Sequence, residues 1–423
     1  MKREELDYYF DESRLAWMRA GRDYYAGQND IVKRERVVFV RGQAMKLSHL
    51  SNNRIAHPFL RKLTDQKVAY LLSQPFSVQT DDEVLAARLS EFFDKAFFKT
   101  LQAIGRDAVI CGVGWLQVYY TPDGDLRIKR ISPETVAPVY DSGDLDQLKA
   151  VIRRYPLNDS VAYEIWNADG VTYSIANGGD LAVAESTGHF TVGDESFSWD
   201  KLPLIPFRYN PESRPLLMLI KSLIDDYDAR VSDVANLLSD SPNCTKIIKG
   251  HVEDPEVFVR NLATLNCLFV GEGGSVENLD TKIDIEAHNA HLDRLRKDIY
   301  DAGSGVDTQE TTAGDLSGTA IRFRYSELEL DCKMMGTEFA EALETLIWFI
   351  CEDMRQRGEG DHEAKSVNIV WNTDHIINEL QTVQVLSASR GLISDATIIE
   401  NHPYVTDAEA EKRRIAEEME DEN

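Results

Sequence analysis

The chain has 423 residues, 43% of them hydrophobic, and its 72 acidic side chains outweigh 46 basic ones for a net charge of −26. That length allows several domains and a large core, but the charge excludes a tight, generic grip on nucleic acid, which requires clustered Lys and Arg to release counterions. No apolar run is long enough to span a membrane, and the start, Met1 to Asp7, lacks a signal-peptide core, so the expectation is a chain made in the cytoplasm with no membrane partner.

In chain order, residues 1–35 have a helical, amphipathic rhythm carried by Leu6, Tyr9, Phe10, Leu15 and Trp17. A basic stretch follows: Lys33, Arg34, Arg36, Arg41, Lys46, Arg54, Arg61, Lys62 and Lys67. These cations suit either an acidic partner or DNA, or else salt bridges and solvated helix faces. Residues 51–58 are expected to start the next helix, with Pro58 in its first turn and Pro75 closing it. Residues 82–110 repeat the amphipathic pattern.

At Cys111 the period changes from helical to alternating. A strand over 111–120, a turn at 122–124 and a partner at 126–131 read as a hairpin. Strands over 135–140, 150–155, 162–167, 171–175 and 189–192 continue the pattern, so 111–210 is expected to be a β-rich module. Residues 214–240 then form a helix whose expected buried face is Leu216, Leu219, Leu223, Tyr227, Val234 and Leu238. Asp225, Asp226, Asp228 and Asp233 make up its acidic remainder. An insert to about residue 283 holds a strand at 245–249, a short helix at 254–265 and a strand at 267–270.

The stretch 284–357 is the most distinctive. Ile285, Leu292, Leu295 and Ile299 mark a helix, and residues 303–318 form a polar loop rich in Gly, Ser and Thr. Ile321, Tyr325, Leu328, Cys332, Met335, Phe339, Leu343, Leu346 and Ile350 then mark a proline-free helix roughly 60 Å long at 1.5 Å per residue. Such a helix suggests an elongated subunit that meets copies of itself, and Gly336 inside it is a candidate kink. A strand at 365–371 and helices at 376–391, 394–400 and 407–421 complete the chain.

Sites for chemistry are scarce. There is no phosphate-binding G-x-x-x-x-G-K-[ST] loop, and the glycines at 112, 114 and 271–274 read as turns or close packing. No G-x-S-x-G elbow is present. Five scattered cysteines without a C-x-x-C pair read as buried free thiols. Asp284, His288 and His291 share a helix face and give a metal-dependent enzyme as a rival reading, although a fourth ligand is not evident. The expectation is no enzyme, no cofactor and no metal.

Four stretches carry a family resemblance: YYAGQNDI at 24–31, NNRIAHPFLRKLTDQKVAYLLSQP at 52–75, GVGWLQVYY at 112–120 with ISPE at 131–134, and DLSGTAIR at 315–322. In their order and spacing the chain resembles the portal proteins of tailed double-stranded-DNA bacteriophages, in the branch of long-tailed phages and prophages. A shorter head-to-tail adaptor is the alternative virion reading.

The resemblance implies an α+β, mainly helical, elongated subunit with a β-rich wing module, two-helix stem, small α/β clip and helical crown, assembling into a ring, usually of twelve. On this chain the wing would be 1–213, with N-terminal helices to 110 and the β-rich module at 111–210. Stem helices would be 214–240 and 284–302, flanking a clip at 241–283. A tunnel loop at 303–318 would lead to a long wing helix and returning strand at 319–375, and a short crown would fill 376–423.

In that scheme Asp307, Thr308, Gln309, Glu310, Thr311, Thr312, Asp315 and Ser317 line the DNA channel. Lys246, Lys249, His251, Val252 and Asp254 dock the terminase or an adaptor. The implied partners are other copies of the chain, the terminase large subunit, a head-completion or adaptor protein, the major capsid and scaffolding proteins, and double-stranded DNA passing without sequence specificity. The implied location is the unique capsid vertex of the virion, with the host cytoplasm during assembly, and ATP hydrolysis belongs to the separate terminase.

Overall fold

The structure, a computed structural model, describes residues 3–40, 43–46, 50–141, 143, 147–177, 180–240, 245–249, 273, 275–279, 284–310, 318–372, 379–400, 402, 405 and 411–415. The chain divides into two compact units, one of Met1–Arg19, Lys62–Leu216 and Ser304–Asn423, the other of Ala20–Arg61 and Leu217–Gly303. Among the described residues no helix is long and apolar enough to cross a membrane.

The first unit mixes helices with open antiparallel sheets. Helix α5 (Lys95–Cys111) starts where the Asp94 carboxylate accepts a hydrogen bond from the Phe97 N–H at 2.7 Å, the usual way to satisfy a first-turn donor. It ends at Gly112, which has φ +87° and would place a Cβ 2.0 Å from the Ser213 carbonyl oxygen. Only glycine meets both demands. The chain turns there into β4 (Val113–Tyr120), the middle strand of a three-stranded sheet with β5 (Leu126–Ile131) and β13 (Leu204–Arg208). β4 is buried along most of its length, because it packs on α5 on one face and lies between two neighbours.

A five-stranded meander follows, in order β10 (Asp180–Thr187), β9 (Gly170–Asn177), β8 (Ser160–Asn167), β7 (Leu148–Leu157) and β6 (Val136–Tyr140). The hairpin at 113–131 and the strands from 136 to 177 fall where alternation places them. β10 and β13 carry no clean alternation and escape that reading.

The core of this unit is α8 (Gly318–Arg357), a 40-residue helix. Leu328, Cys332, Met335, Phe339, Leu343, Leu346, Ile347, Ile350 and Met354 are all buried along it. The Phe339 ring meets Phe207 of β13 edge-on at 5.0 Å between centroids, and Phe349 meets Trp199 at 5.2 Å. Arg355 and Arg357 occupy its last turn, where cations complement the helix dipole.

Helical geometry continues through Gly336. What the glycine provides is space: a Cβ there would lie 3.2 Å from the Trp371 indole nitrogen, which donates to the Gly336 carbonyl at 3.2 Å. Trp371 follows β16 (Asn368–Val370), paired with β3 (Ser77–Gln79). Further on, α9 (Glu379–Ala388) and α10 (Asp395–Glu400) fall within the helices expected there. Of the expected last helix, 411–415 is described and helical.

The second unit centres on α6 (Leu217–Asp240), packed against α7 (Ile285–Ala302). α7 begins at Asp284, whose carboxylate accepts from the Ala287 N–H at 3.1 Å. It buries Leu295, Ile299 and Tyr300, leaving Ile285 exposed. β14 (Thr245–Lys249) pairs with β15 (Ser275–Leu279), a partner that the sequence pattern does not reveal. The expected helix at 254–265 and strand at 267–270 lie outside the described residues.

The helical stretch expected over 1–35 comprises α1 (Arg3–Asp7), α2 (Glu12–Tyr25) and a 3-10 turn at Asp30–Lys33. Two expectations are corrected here. The helix expected to begin in 51–58 begins instead at Phe59, as α3 (Phe59–Leu72), because Asn52 to His57 are extended. The buried face of α6 is also not the leucine stripe. Leu219 and Leu238 are each 65% exposed, while Leu217, Ile220, Ile224, Asp228, Ser232 and Asn236 are buried.

That last burial has a specific cause. Asp228, Ser232, Asn236 and Asp240 recur every four residues, so their side chains form one row along the helix. Each accepts a backbone N–H from the extended strap. His57 donates to Asp228 Oδ1 at 3.0 Å, Ile55 to Ser232 Oγ at 3.0 Å, Asn53 to Asn236 Oδ1 at 2.6 Å and Ser51 to Asp240 Oδ1 at 2.8 Å. Helix side chains thus replace the sheet neighbour that an extended segment needs. Asn29 Nδ2 adds bonds to Asp228 Oδ2 at 2.6 Å and to the His57 carbonyl at 3.1 Å.

Candidate functional site: the base of a polar loop

The loop after α7 starts on an unusual backbone. Ser304 has φ +45°, in the left-handed region, so the chain turns sharply there. Val306 is buried. Asp307 stabilises the next turn, since its carboxylate accepts from the Gln309 N–H at 3.0 Å at the start of a 3-10 helix, Thr308–Glu310. Thr311, Thr312, Asp315 and Ser317 lie outside the described residues.

One face of α3 holds this base. Lys62 Nζ donates to Thr308 Oγ1 at 3.3 Å. One turn on, Gln66 makes a paired contact with Val306: its Nε2 donates to the carbonyl at 2.7 Å, and its Oε1 accepts the N–H at 3.1 Å. Lys67, fully buried, donates to the Ser304 carbonyl at 3.1 Å and to Asp331 Oδ2 at 2.6 Å. The Tyr209 hydroxyl donates to the same carboxylate at 2.9 Å. Burial, and then the Asp331 charge, push the Tyr209 phenol well above its ordinary pKa, so it stays a neutral donor.

Chemically this is a scaffold. A carboxylate, a buried ammonium and a phenol are used up in fixing backbone, and the loop side chains placed here are polar or acidic. The constellation that sequence reasoning misses is Gln66, Lys67, Tyr209 and Asp331. By sequence Lys67 falls among the surface cations, and the one hint otherwise is its place inside an apolar helical pattern.

The other cations of the basic stretch divide, with Lys33 and Lys46 exposed and Arg34 and Arg36 turned toward α6. Arg34 pairs with Asp233, Arg36 with Asp240 at 2.6 Å, and Arg54 donates to the Val32 carbonyl at 2.9 Å. Arg34 and Arg36 thus fasten α6 to the segment before the strap through salt bridges. Lys221 likewise bridges Asp30 at 2.6 Å and Asp225 at 2.7 Å.

The metal reading fares poorly on geometry. Asp284 is a helix cap, and His291 Nε2 lies 3.1 Å from Asp226 Oδ2. The Asp226 carboxyl is lowered below its ordinary value, with Arg230 and His291 outweighing partial burial. Among the described residues no three His, Cys, Asp or Glu side chains are grouped to hold a metal ion. Cys111, Cys332 and Cys351 are buried thiols, and burial pushes the Cys332 thiol up to about 12 and Cys351 to about 11, far from reactive thiolates. Of the candidate docking residues, Lys246 and Lys249 lie on β14; His251, Val252 and Asp254 lie outside the described residues.

Comparison with known proteins fits this scaffold. The family model described as phage portal protein, SPP1 Gp6-like, matches residues 9–423. The chain is similar to the portal protein of Bacillus phage SPP1, at 27% identity over 94% of this chain and 82% of that one. It is also similar to the portal protein of Clostridium phage phiCD119, at 26% identity over 96% and 94%. A solved structure described as the neck of a native GTA particle computed with C12 symmetry shares 14% identity over 81% of this chain and 88% of that one, with a TM-score of 0.46. The match runs almost the full length, and the chain belongs to the SPP1-type phage portal protein family. That family is structural rather than enzymatic.

Proposed function

We propose that this chain builds a ring at one capsid vertex through which double-stranded DNA enters during packaging and leaves on ejection. The observation that carries the reading is the family match over residues 9–423. In this reading α6 and α7 are the stem, residues 241–283 the clip, the loop at 303–318 the channel lining, α8 the wing helix and 376–423 the crown. The terminase large subunit, which would supply ATP hydrolysis, and a head-completion or adaptor protein dock on the clip. Capsid and scaffolding proteins meet the outer body.

Charge supports this division of labour. A ring of chains each at −26 repels phosphate along its walls, and Asp307, Glu310 and Asp315 give the loop no cation of its own. DNA then slides past a polar gasket instead of binding it. The test combines imaging with a deletion. Negative-stain images should show rings with a central hole and countable symmetry. Removing residues 307–315 should leave those rings intact while lowering the yield of filled heads. A monomer at every concentration sinks the ring reading, and normal DNA packaging and retention by the deletion sinks the loop's assignment to the channel.

A further inference from the structure

A channel loop at 303–318 needs its ends held, and what holds them is a question that rests on that reading. We infer that Lys67 is a positioning residue that fastens the start of the loop, at Ser304, to the body of α8, at Asp331. The ammonium donates at once to the Ser304 carbonyl, on the segment entering the loop, and to Asp331, on the helix leaving it. A single side chain of α3 thus ties the start of the loop to α8.

Three further contacts make the root rigid. Tyr209, the residue after β13, holds the Asp331 carboxylate with its hydroxyl at 2.9 and 3.1 Å, so the acceptor is fixed before Lys67 reaches it. Gln66 completes both backbone bonds of Val306, as a strand neighbour would. The Cys332 thiol, next to Asp331, contacts the Lys67 carbonyl at 3.7 Å. The ties from Gln66 and Cys332 come from helices, and rigid elements position a functional segment better than other loops do.

A fully buried lysine is costly, and an apolar residue of similar size would fill the same space with less penalty. What Met or Leu cannot supply is a cation that joins a loop carbonyl to a helix carboxylate. Force on the segment at 304–306 passes through Lys67 into α3 and α8.

The experiment uses two variants of the full chain. Gln66→Ala removes the Val306 pair, and Lys67→Met with Asp331→Leu removes the central tie without leaving an orphaned charge. Hydrogen exchange in 303–310 should quicken about tenfold in each variant, the scale of one lost net hydrogen bond, while 95–111 keeps its protection. Rings should still assemble, and the yield of filled heads should fall severalfold. Unchanged exchange in 303–310, or faster exchange with filled heads at the wild-type level, overturns the inference. If the double variant fails to fold, Gln66→Ala alone decides. The 307–315 deletion is run alongside: if it packages normally, the channel reading falls, while the exchange result still judges the tie.

Discussion

Two helices of this chain are buried by opposite means. α8 is covered by hydrocarbon, with Phe339, Leu343, Leu346 and Ile350 all inaccessible. The C-terminal half of α6 is covered just as fully, but over Asp228, Ser232 and Asn236, by a strap whose backbone their side chains satisfy. Apolar packing is non-directional and tolerates small shifts; a row of hydrogen bonds fixes register and fails as a group. The difference predicts where each helix tolerates change.

The largest effect should come from the apolar helix. Phe339→Ala leaves a void beside Phe207 and should cost about 4 kcal/mol, read as a lowered denaturation midpoint; a loss under about 1 kcal/mol would mean this packing matters little. Next is Asp228→Ala, which strips partners from the His57 N–H and the Asn29 amide. It should cost about 3 kcal/mol, and faster exchange at residues 51–57 should accompany it. Equal loss without that local signature would break the contrast between the two helices. The smallest effect belongs to the face that looks buried from its sequence: Leu219→Ala should change the stability of the isolated chain by less than about 0.5 kcal/mol.

Those three positions also show how much is legible in the sequence. α8 can be read to within one residue of its start, because nine apolar positions keep a helical period without a proline. The hairpin at 113–131 is equally plain, since alternation changes the period at a definite place. α6 is located correctly but faced wrongly. Its leucines outvote a row of Asp, Ser and Asn that periodicity counts as solvent-facing, and the strap that buries them lies about 180 residues away in sequence.

The loop shows the same limit from the other side. Its start, where α7 stops at Ala302, follows from Gly and Ser content. Its root does not, because Lys67, Tyr209 and Asp331 are far apart in sequence and individually ordinary. Resemblance to portal proteins supplies the family, which the comparison over residues 9–423 supports. It is silent about the side chains that hold the loop.

The strap on α6 has one more property. Four residues of helix advance about 6.0 Å, while two residues of extended chain advance about 6.7 Å. The two scales nearly coincide, like the graduations of a vernier, and drift by about 2 Å over the three intervals between four rungs. The drift limits how long such a ladder can run before its rungs no longer meet. It also makes the segment a gauge of chain length. Losing one residue within 51–57 would turn every donor away from the helix, whereas losing two would let the strap slip by one rung and close again.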